Sequence, residues 1–228
     1  MKSIVAVVLF VVVGQLAAQP GEPRTVSPYL WGSERPKSEL GEVNANRRFS
    51  SERTAAMREF YGDVLALQVL PDTAVGGGRM IRYPIGSSEV KLFPLPPSPD
   101  NAAANTASIS EAAGVRLLTF FYPDQAALVE RFKAHGLQVP SFAKTSRAGA
   151  SVAALVQDPD GQWVELVVIP GATAAALARF EIGITVTDLE ASRDFYGNLM
   201  GLTPQPPVRD ELVGAIRYPF THGATTIN

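Results

Sequence analysis

Residues 58–67 read REFYGDVLAL, and residues 193–202 read RDFYGNLMGL. The offset between the two segments is 135 residues, and at the same offset residues 81–84 (IRYP) recur as residues 216–219. Ten of the 36 positions from 58 to 93 match their counterparts, whereas average composition gives about two by chance. A period of this length is close to one domain and too long for a solenoid, so the sequence predicts a duplicated domain.

The elements around the repeat follow one order in each copy, with helices predicted from apolar spacing and strands from alternation and turn residues. Asp124 is a predicted N-cap, and Thr187 with Glu190 is a predicted capping box. The predicted segments are an atypical strand 43–50, helix 51–67, strands 79–84 and 89–93, connector 94–113, strand 115–122, the helix after Asp124, strands 150–157 and 162–169, strand 180–187 and helix 188–200.

The repeat also predicts the division of the chain. Residue 228 corresponds to residue 93 of the first copy, so nothing matches residues 94–169 a second time, and we expect a truncated second domain in a fragment of a longer protein. The predicted parts are a signal peptide (1–18), a flexible leader (19–42), a complete domain of two halves (43–170), a linker (171–178) and the first half of a second domain (179–228).

The N-terminus predicts export. Lys2 precedes an apolar run of about ten residues, 4–13, and small residues around Ala18 suit cleavage, as in a secretory signal. A membrane-spanning helix needs about 20 apolar residues, so the run is too short to be an anchor. We therefore expect a mature protein in a periplasm or outside the cell, with no membrane contact after cleavage.

Composition excludes several kinds of site. The 20 basic and 22 acidic residues are balanced, so no nucleic-acid partner is expected. Cysteine is absent, which removes disulfides and thiolate chemistry. The two histidines have structural explanations: His135 ends a predicted helix, and His222 falls in a predicted turn.

Residues 180–202 (FEIGITVTDLEASRDFYGNLMGL) resemble the opening of a vicinal-oxygen-chelate module, and residues 158–166 (DPDGQWVEL) resemble its closing hairpin. The resemblance covers about residues 43–228. The family that it indicates includes glyoxalases, bleomycin resistance proteins and extradiol dioxygenases. It implies an α+β fold in which paired βαβββ modules form a cup-shaped mixed sheet. In metal-using members, inward residues on the first and last strand of each module bind a divalent ion that acts as a Lewis acid.

The resemblance also implies where ligands would lie. Glu165 occupies the position on the last strand of the second half, and Lys91 occupies it in the first half. The first-strand positions fall on Asn46, on Leu117 (or Arg116, one residue earlier), and on Glu181 in the third half. One carboxylate among four positions of the complete domain cannot hold an ion, so the predicted metal site is incomplete, with Glu165 and Glu181 as the candidates. We expect no cofactor in this chain.

The candidate pocket residues are Lys91, Glu165, Trp163 and Glu89, on the inner face predicted by strand alternation. Lys91 and Glu165 are expected to share one cavity and to balance each other's charge. Arg82 and Arg217 recur on matching strands, and their recurrence is more typical of a structural role than of substrate binding.

Two functions remain open. The first is an exported small-molecule-binding or degenerate glyoxalase-like module without metal. The second is a metal-dependent lyase, isomerase or extradiol-type dioxygenase whose metal lies in the truncated second domain. The expected partner is a small molecule, with a homodimer or pairing of modules within the chain as the possible assemblies.

Overall fold

A computed structural model describes residues 43–97, 108–147 and 149–228. The predicted signal peptide, the leader and most of the predicted connector 94–113 lie outside these residues. Within them the chain forms three units of similar plan, here called the first, second and third modules.

The first module is a βαβββ unit, and its short α-helix follows a 3-10 turn (Ser51–Arg53) and continues as a π-helical turn. Its elements are β1 (Ala45–Ser50), α1 (Thr54–Arg58), the π-helical turn Glu59–Val64, β2 (Leu70–Val75), β3 (Gly78–Ile85) and β4 (Ser88–Leu95). The strands form a four-stranded sheet in the order β1-β4-β3-β2, with β1 parallel to β4.

The second module repeats this plan after a 3-10 turn (Ile109–Glu111), and its strands follow the order β5-β8-β7-β6. Asp124 caps α2 by accepting hydrogen bonds from the amides of Ala126 and Ala127, as predicted. The elements are β5 (Gly114–Tyr122), α2 (Gln125–Ala134), β6 (Ala143–Lys144), β7 (Val152–Gln157) and β8 (Trp163–Val168).

The third module follows the short linker helix α3 (Ala174–Leu177), and its main strands take the order β9-β14-β13-β10. An additional hairpin of β11 and β12 is inserted before β13. The elements are β9 (Phe180–Thr185), α4 (Leu189–Arg193) with the π-helical turn Asp194–Leu199, β10 (Thr203–Pro204), β11 (Val208–Asp210), β12 (Ala215–Arg217), β13 (Phe220–His222) and β14 (Thr225–Ile227).

Two local predictions are corrected by these elements. The N-cap of α4 is Asp188, whose carboxylate accepts a hydrogen bond from the amide of Ala191 at 2.9 Å, so the predicted Thr187–Glu190 capping box is wrong. Strand β2 was not predicted, because its Leu-Pro-Asp-Thr-Ala-Val sequence has little alternation and its proline is unfavourable in a strand.

The second and third modules share one sheet. β5 pairs antiparallel with β9, which joins the two modules into eight strands in the order β10-β13-β14-β9-β5-β8-β7-β6. The first module forms a separate sheet and does not pair with the second among the described strands. The eight-stranded sheet therefore contains strands from both sides of the predicted linker 171–178. The division of the chain into domains remains a prediction.

The main core lies between the two sheets. Tyr61 on the helix of the first module packs against Phe120 of β5, and Phe120 packs against Phe180 of β9. Phe60 meets Phe132 of α2 with ring centroids 6.4 Å apart. All three modules thus contribute to one hydrophobic cluster, which holds the eight-stranded sheet against the first module. In the described part of the chain, no helix has the length and apolar character needed to cross a membrane.

Candidate functional site

Strand register places the positions that the resemblance singles out. Asn46 lies opposite Lys91 in the first module. In the second module Thr119 lies opposite Glu165, and in the third Glu181 lies opposite Thr226. The predicted first-strand residue of the second half, Leu117, is therefore wrong by two positions; it lies opposite Trp163. The register has the further effect of pairing Thr119 with Glu181 across the seam between modules.

Glu165 is fully buried and accepts hydrogen bonds from three side chains. Thr119 Oγ1 donates to Glu165 Oε2 at 2.8 Å. Arg147 binds both carboxylate oxygens, with Nε 3.2 Å from Oε1 and Nη2 2.7 Å from Oε2. Arg217 Nη2 donates to Oε2 at 3.0 Å. A buried charge requires this kind of compensation, because the interior does not solvate it as water does.

Arg147 links the two carboxylates across the seam. Its Nη1 donates to Glu181 Oε2 at 2.8 Å, and Asn228 Nδ2 donates to the same oxygen at 2.8 Å. Burial lowers the pKa of Arg147, but its attraction to Glu181 and Glu165 outweighs burial and raises that pKa overall. The guanidinium therefore stays charged and bridges the last strand of the second module to the first strand of the third.

Arg217 brings a third carboxylate into the same group. It lies on β12 and pairs with Asp210 at the end of β11, and its Nη1 is 3.9 Å from Glu181 Oε2. The other oxygen of Asp210 accepts the amides of Leu212 and Val213, each at 3.0 Å, which fixes the turn of the hairpin. We call Glu165, Glu181, Asp210, Arg147 and Arg217 the carboxylate–arginine cluster; it carries three negative and two positive groups.

A cavity of about 260 Å³ adjoins this cluster. Two members of its wall, Arg217 and Asn228, also hold the carboxylates of the cluster. Most of the remaining wall is apolar and comes from β9, α4 and the β11–β12 hairpin, including Ile184, Tyr196 and Ile216. Arg217 Nη1 is buried, and it has no hydrogen-bond partner in residues 43–97, 108–147 and 149–228. The cavity wall therefore combines apolar side chains with Arg217, the residue that carries this N–H group.

A family model for the glyoxalase/bleomycin resistance protein/dioxygenase superfamily matches residues 49–166, more than half of the chain. The chain belongs to this superfamily. The predicted α+β fold of βαβββ modules is confirmed as the glyoxalase-like fold of the superfamily.

Solved structures show the same fold. Glyoxalase I from Zea mays is 17% identical with a TM-score of 0.56, and the match covers 81% of this chain and 64% of that one. A Bacillus subtilis protein provisionally named a dioxygenase is 16% identical with a TM-score of 0.55, covering 82% of this chain and 62% of that one. The chain thus spans less than two thirds of each, and identities this low show the fold alone. No functionally curated protein matches the sequence.

The residues at the superfamily's ligand positions do not fit a divalent ion. The four positions in the shared sheet are Thr119, Glu165, Glu181 and Thr226, with no imidazole among them. Both carboxylates are bound by guanidinium groups, which occupy the directions that an ion would need. Within the described ranges, no group of three or more His, Asp or Glu side chains could hold a metal.

The predicted pairing of Glu165 with Lys91 is wrong. The two residues lie on different sheets, because the second module pairs with the third. Lys91 lies 3.5 Å from Glu89, which also binds Arg82, while the charge of Glu165 is balanced by Arg147 and Arg217.

The other candidate residues, Lys91, Glu89 and Trp163, do not line the cavity just described. Trp163 and Val167 alternate with the core residues Val164 and Leu166, and Val167 packs with Phe121 and Ala153 in a second cluster. Val167 therefore lies on the face of β8 opposite the main core, the same face as Trp163 and Glu165. The wall of the cavity includes none of Lys91, Glu89, Trp163 and Glu165.

Several residues of the site were not predicted. Arg147 lies in the loop between β6 and β7, and Asp210 and Asn228 lie near strand ends, where apolar periodicity gives no signal. Arg217, for which a structural role was predicted, binds Glu165 and also lines the cavity. Of the histidines, His135 pairs with Glu59 at 2.8 Å beyond α2, and His222 is the last residue of β13, next to the turn in which it was predicted.

Proposed function

We propose that this chain is an exported member of the superfamily that binds a small molecule without a metal ion, in the cavity beside the carboxylate–arginine cluster. The observation that carries the proposal is that Arg147 bridges Glu165 and Glu181. A guanidinium placed between the two carboxylates supplies the positive charge that a cation would supply in a metal-using site.

The cavity favours a neutral, largely apolar ligand with one hydrogen-bond acceptor. Its wall is mostly apolar, and its volume of about 260 Å³ lies near the lower end of the roughly 300–1,000 Å³ typical of ligand pockets. Arg217 Nη1 can donate to a carbonyl or hydroxyl oxygen. An anionic ligand is less favourable, because the cluster already holds three carboxylates and two guanidinium groups.

Calorimetry tests the metal part of the proposal. Zinc, manganese, nickel and ferrous iron should bind the purified chain no more tightly than about 10 μM, which corresponds to roughly 7 kcal/mol. The matched variant is Glu165→Gln. The proposal would be contradicted if one equivalent of metal bound more tightly than this and if Glu165→Gln abolished that binding. Such a result would show that an ion can displace the arginines from the carboxylates.

A neutral fluorescent probe tests the ligand part. N-phenyl-1-naphthylamine should bind with enhanced emission, and Ile216→Asp in the cavity wall should weaken binding at least about tenfold, or 1.4 kcal/mol. Val75→Asp, at an exposed apolar residue outside the wall, is the control. A medium-chain alcohol or ketone should displace the probe at lower concentration than the matching fatty acid anion; the reverse order would contradict a neutral ligand.

Export rests on residues 1–18. Mass spectrometry of protein from the native cell should find a mature N-terminus near Gln19. A cytosolic species that begins at Met1 would contradict this part of the proposal.

The alternative function, a metal-dependent enzyme, requires Glu181 as a metal ligand. We do not propose it, because Glu181 accepts hydrogen bonds from Arg147 and Asn228.

A further inference from the structure

A second cavity, of about 290 Å³, shares none of its described wall residues with the cavity beside the carboxylate–arginine cluster. Three segments meet at its wall: residues 65–67 after the helix of the first module, residues 120–127 from β5 into α2, and Leu177 of α3. Most of the wall is apolar, including Ile85. This volume is near the lower end of the roughly 300–1,000 Å³ typical of ligand pockets, so the cavity suits a small apolar ligand.

Arg131 of α2 is the only basic residue in the described part of this wall, and it is partly buried. Its Nε donates to the carbonyl oxygen of Val64 at 2.8 Å, and its Cζ lies 5.8 Å from the centre of the Tyr122 ring. These contacts orient the guanidinium and leave the N–H groups of Nη1 and Nη2 for another acceptor. Throughout residues 43–97, 108–147 and 149–228, no carboxylate forms an ion pair with Arg131. The cavity therefore has a fixed cation that lacks an anion.

The carboxylate in the wall, Asp124, does not supply that anion. Its Oδ1 accepts the amides of Ala126 and Ala127, so the N-terminus of α2 already stabilises its charge. Arg131 lies two helical turns later, about 10 Å along the helix axis. This separation is about one Debye length at moderate ionic strength. A negative group bound at Arg131 therefore meets little repulsion from Asp124.

The space between the two charges depends on a small residue. Ala127 follows Asp124 by three positions and precedes Arg131 by four, so the three residues share one face of α2 and all line the cavity. The next residue, Leu128, turns to the main core and is fully buried. A side chain larger than that of Ala127 would occupy the cavity without entering the core.

We propose that this second cavity binds an apolar monocarboxylate, such as a medium-chain fatty acid. The guanidinium of Arg131 binds the carboxylate, because its planar N–H groups match the two oxygens of that group. The hydrocarbon chain lies along the apolar wall beside Ala127. The site is separate from the cavity beside the carboxylate–arginine cluster, which favours a neutral ligand.

Calorimetry with octanoate and the full chain provides the test. Octanoate should bind at one site per chain, and Arg131→Gln should weaken binding at least about tenfold, because a charged hydrogen bond is lost. Arg131→Lys keeps the charge and should retain more of the affinity. The control is Lys133→Gln, which removes a positive charge from the same helix outside the cavity and should leave the affinity unchanged.

A second pair of variants tests the cavity itself. Ala127→Leu should abolish octanoate binding by filling the space, whereas Ala126→Leu, at an exposed position outside the wall, should leave it unchanged. Leucine and glutamine are both favourable in helices, and circular dichroism shows whether each variant is folded.

Three results would overturn the proposal. The first is no octanoate binding at concentrations up to about 1 mM. The second is binding that Arg131→Gln and Ala127→Leu leave unchanged. The third is binding that Ile216→Asp abolishes, since octanoate would then occupy the other cavity; this variant should leave octanoate affinity unchanged, whether or not the other cavity binds a neutral ligand.

Discussion

At the scale of single residues, Arg147 determines what the site can do. It forms hydrogen bonds with two buried carboxylates from different modules. Its guanidinium therefore balances their charge and connects the second module to the third. Carboxylates with this partner are poor metal ligands, because an approaching cation must displace a charged group that is already bound.

Glu165→Ala should lower the free energy of unfolding by about 3–5 kcal/mol, because it leaves Arg147 and Arg217 buried without one of their anions. Urea denaturation measures the change. The control is Glu130→Ala, which removes an exposed pair with Lys133 and should cost less than about 1 kcal/mol. A cost below 1 kcal/mol for Glu165→Ala would mean that the cluster contributes little.

Ala66→Gly should stabilise the protein by about 0.5–1 kcal/mol. Ala66 ends the first π-helical turn with φ +54°, a left-handed conformation that strains any residue with a Cβ. The repeat supports the expectation, since Gly201 occupies the same position in the third module with φ +71°. Thermal unfolding should show a higher midpoint for Ala66→Gly and a lower one for Gly201→Ala; a lower midpoint for Ala66→Gly would contradict this account.

The sequence located Glu165 and Glu181 at the paired positions of the sheet but misplaced their neighbour. A β-bulge between Val115 and Leu117 shifts the pairing of β5, and such an insertion leaves no trace in apolar alternation. Thr119 was missed because Leu117 and Thr119 are two residues apart on one strand, so they share a face and alternation cannot distinguish them. Arg147 could not be predicted, because it lies in a loop. The path of that loop, and therefore which side chains Arg147 contacts, depends on the tertiary structure.

At the scale of elements, identical sequence adopts different positions in the two copies. Ile81 is buried in β3, but its counterpart Ile216 lies in β12 and is largely exposed. In the third module β13 pairs Thr221 with Thr226, four residues later than the repeat requires, and the displaced IRYP segment becomes part of the inserted hairpin. The repeat therefore predicted the first strand and the helix of the third module well, and the strand carrying Arg217 poorly.

Gly183→Ala should destabilise the protein by about 1–3 kcal/mol by overpacking the seam. A Cβ at Gly183 would lie 2.8 Å from Cβ of Leu117, which cannot move without shifting the backbone of β5. Gly78→Ala is the control, because its added Cβ meets its nearest described neighbour at an ordinary 3.6 Å. Equal unfolding midpoints for the two variants would mean that the seam relaxes without cost.

The hairpin of β3 and β4 should contribute to acid sensitivity. Hydrogen bonding to Arg82 lowers the pKa of Glu89 below its ordinary value of 4.5, and Lys91 adds to the effect. Because the folded state favours the ionised form, this contribution is present above pH 4.5 and is lost as the pH falls through the lowered pKa.

Glu89→Gln should therefore be less stable than the unmodified protein at pH 7, and the difference should shrink progressively below pH 4.5. Thermal midpoints between pH 3 and pH 7 measure it. Glu190→Gln, at an exposed carboxylate on α4, should show no such trend. A difference that stayed constant with pH would exclude this role for Glu89.

At the scale of the whole molecule, the second and third modules share one sheet, whereas the sequence predicted a domain made of the first and second halves. β1 and β9 are each the first strand of a module of the same plan, so by topology both are candidate partners for β5. The choice depends on long-range packing, such as Phe180 of β9 against Phe120 of β5, which one repeat unit does not encode.

A chain that ends at residue 178 should therefore fold poorly, although it contains the predicted complete domain 43–170. Removing β9 exposes the edge of β5 and takes Phe180 and Ile182 out of the main core. Circular dichroism should show a lower and broader thermal transition than for the 228-residue chain. A sharp transition at the same temperature would show that the first two modules are an independent domain.

The late position of β9 has a consequence for synthesis on the ribosome. The last residue of β5 emerges 63 residues before the last residue of β9, a delay of about 3–13 s at roughly 5–20 residues per second. During that interval β5 lacks its partner β9, and β1 lies at the edge of its own sheet among the described strands. We expect β5 to be open to non-native strand pairing until β9 is made, so a chaperone that delays pairing would favour the native partner.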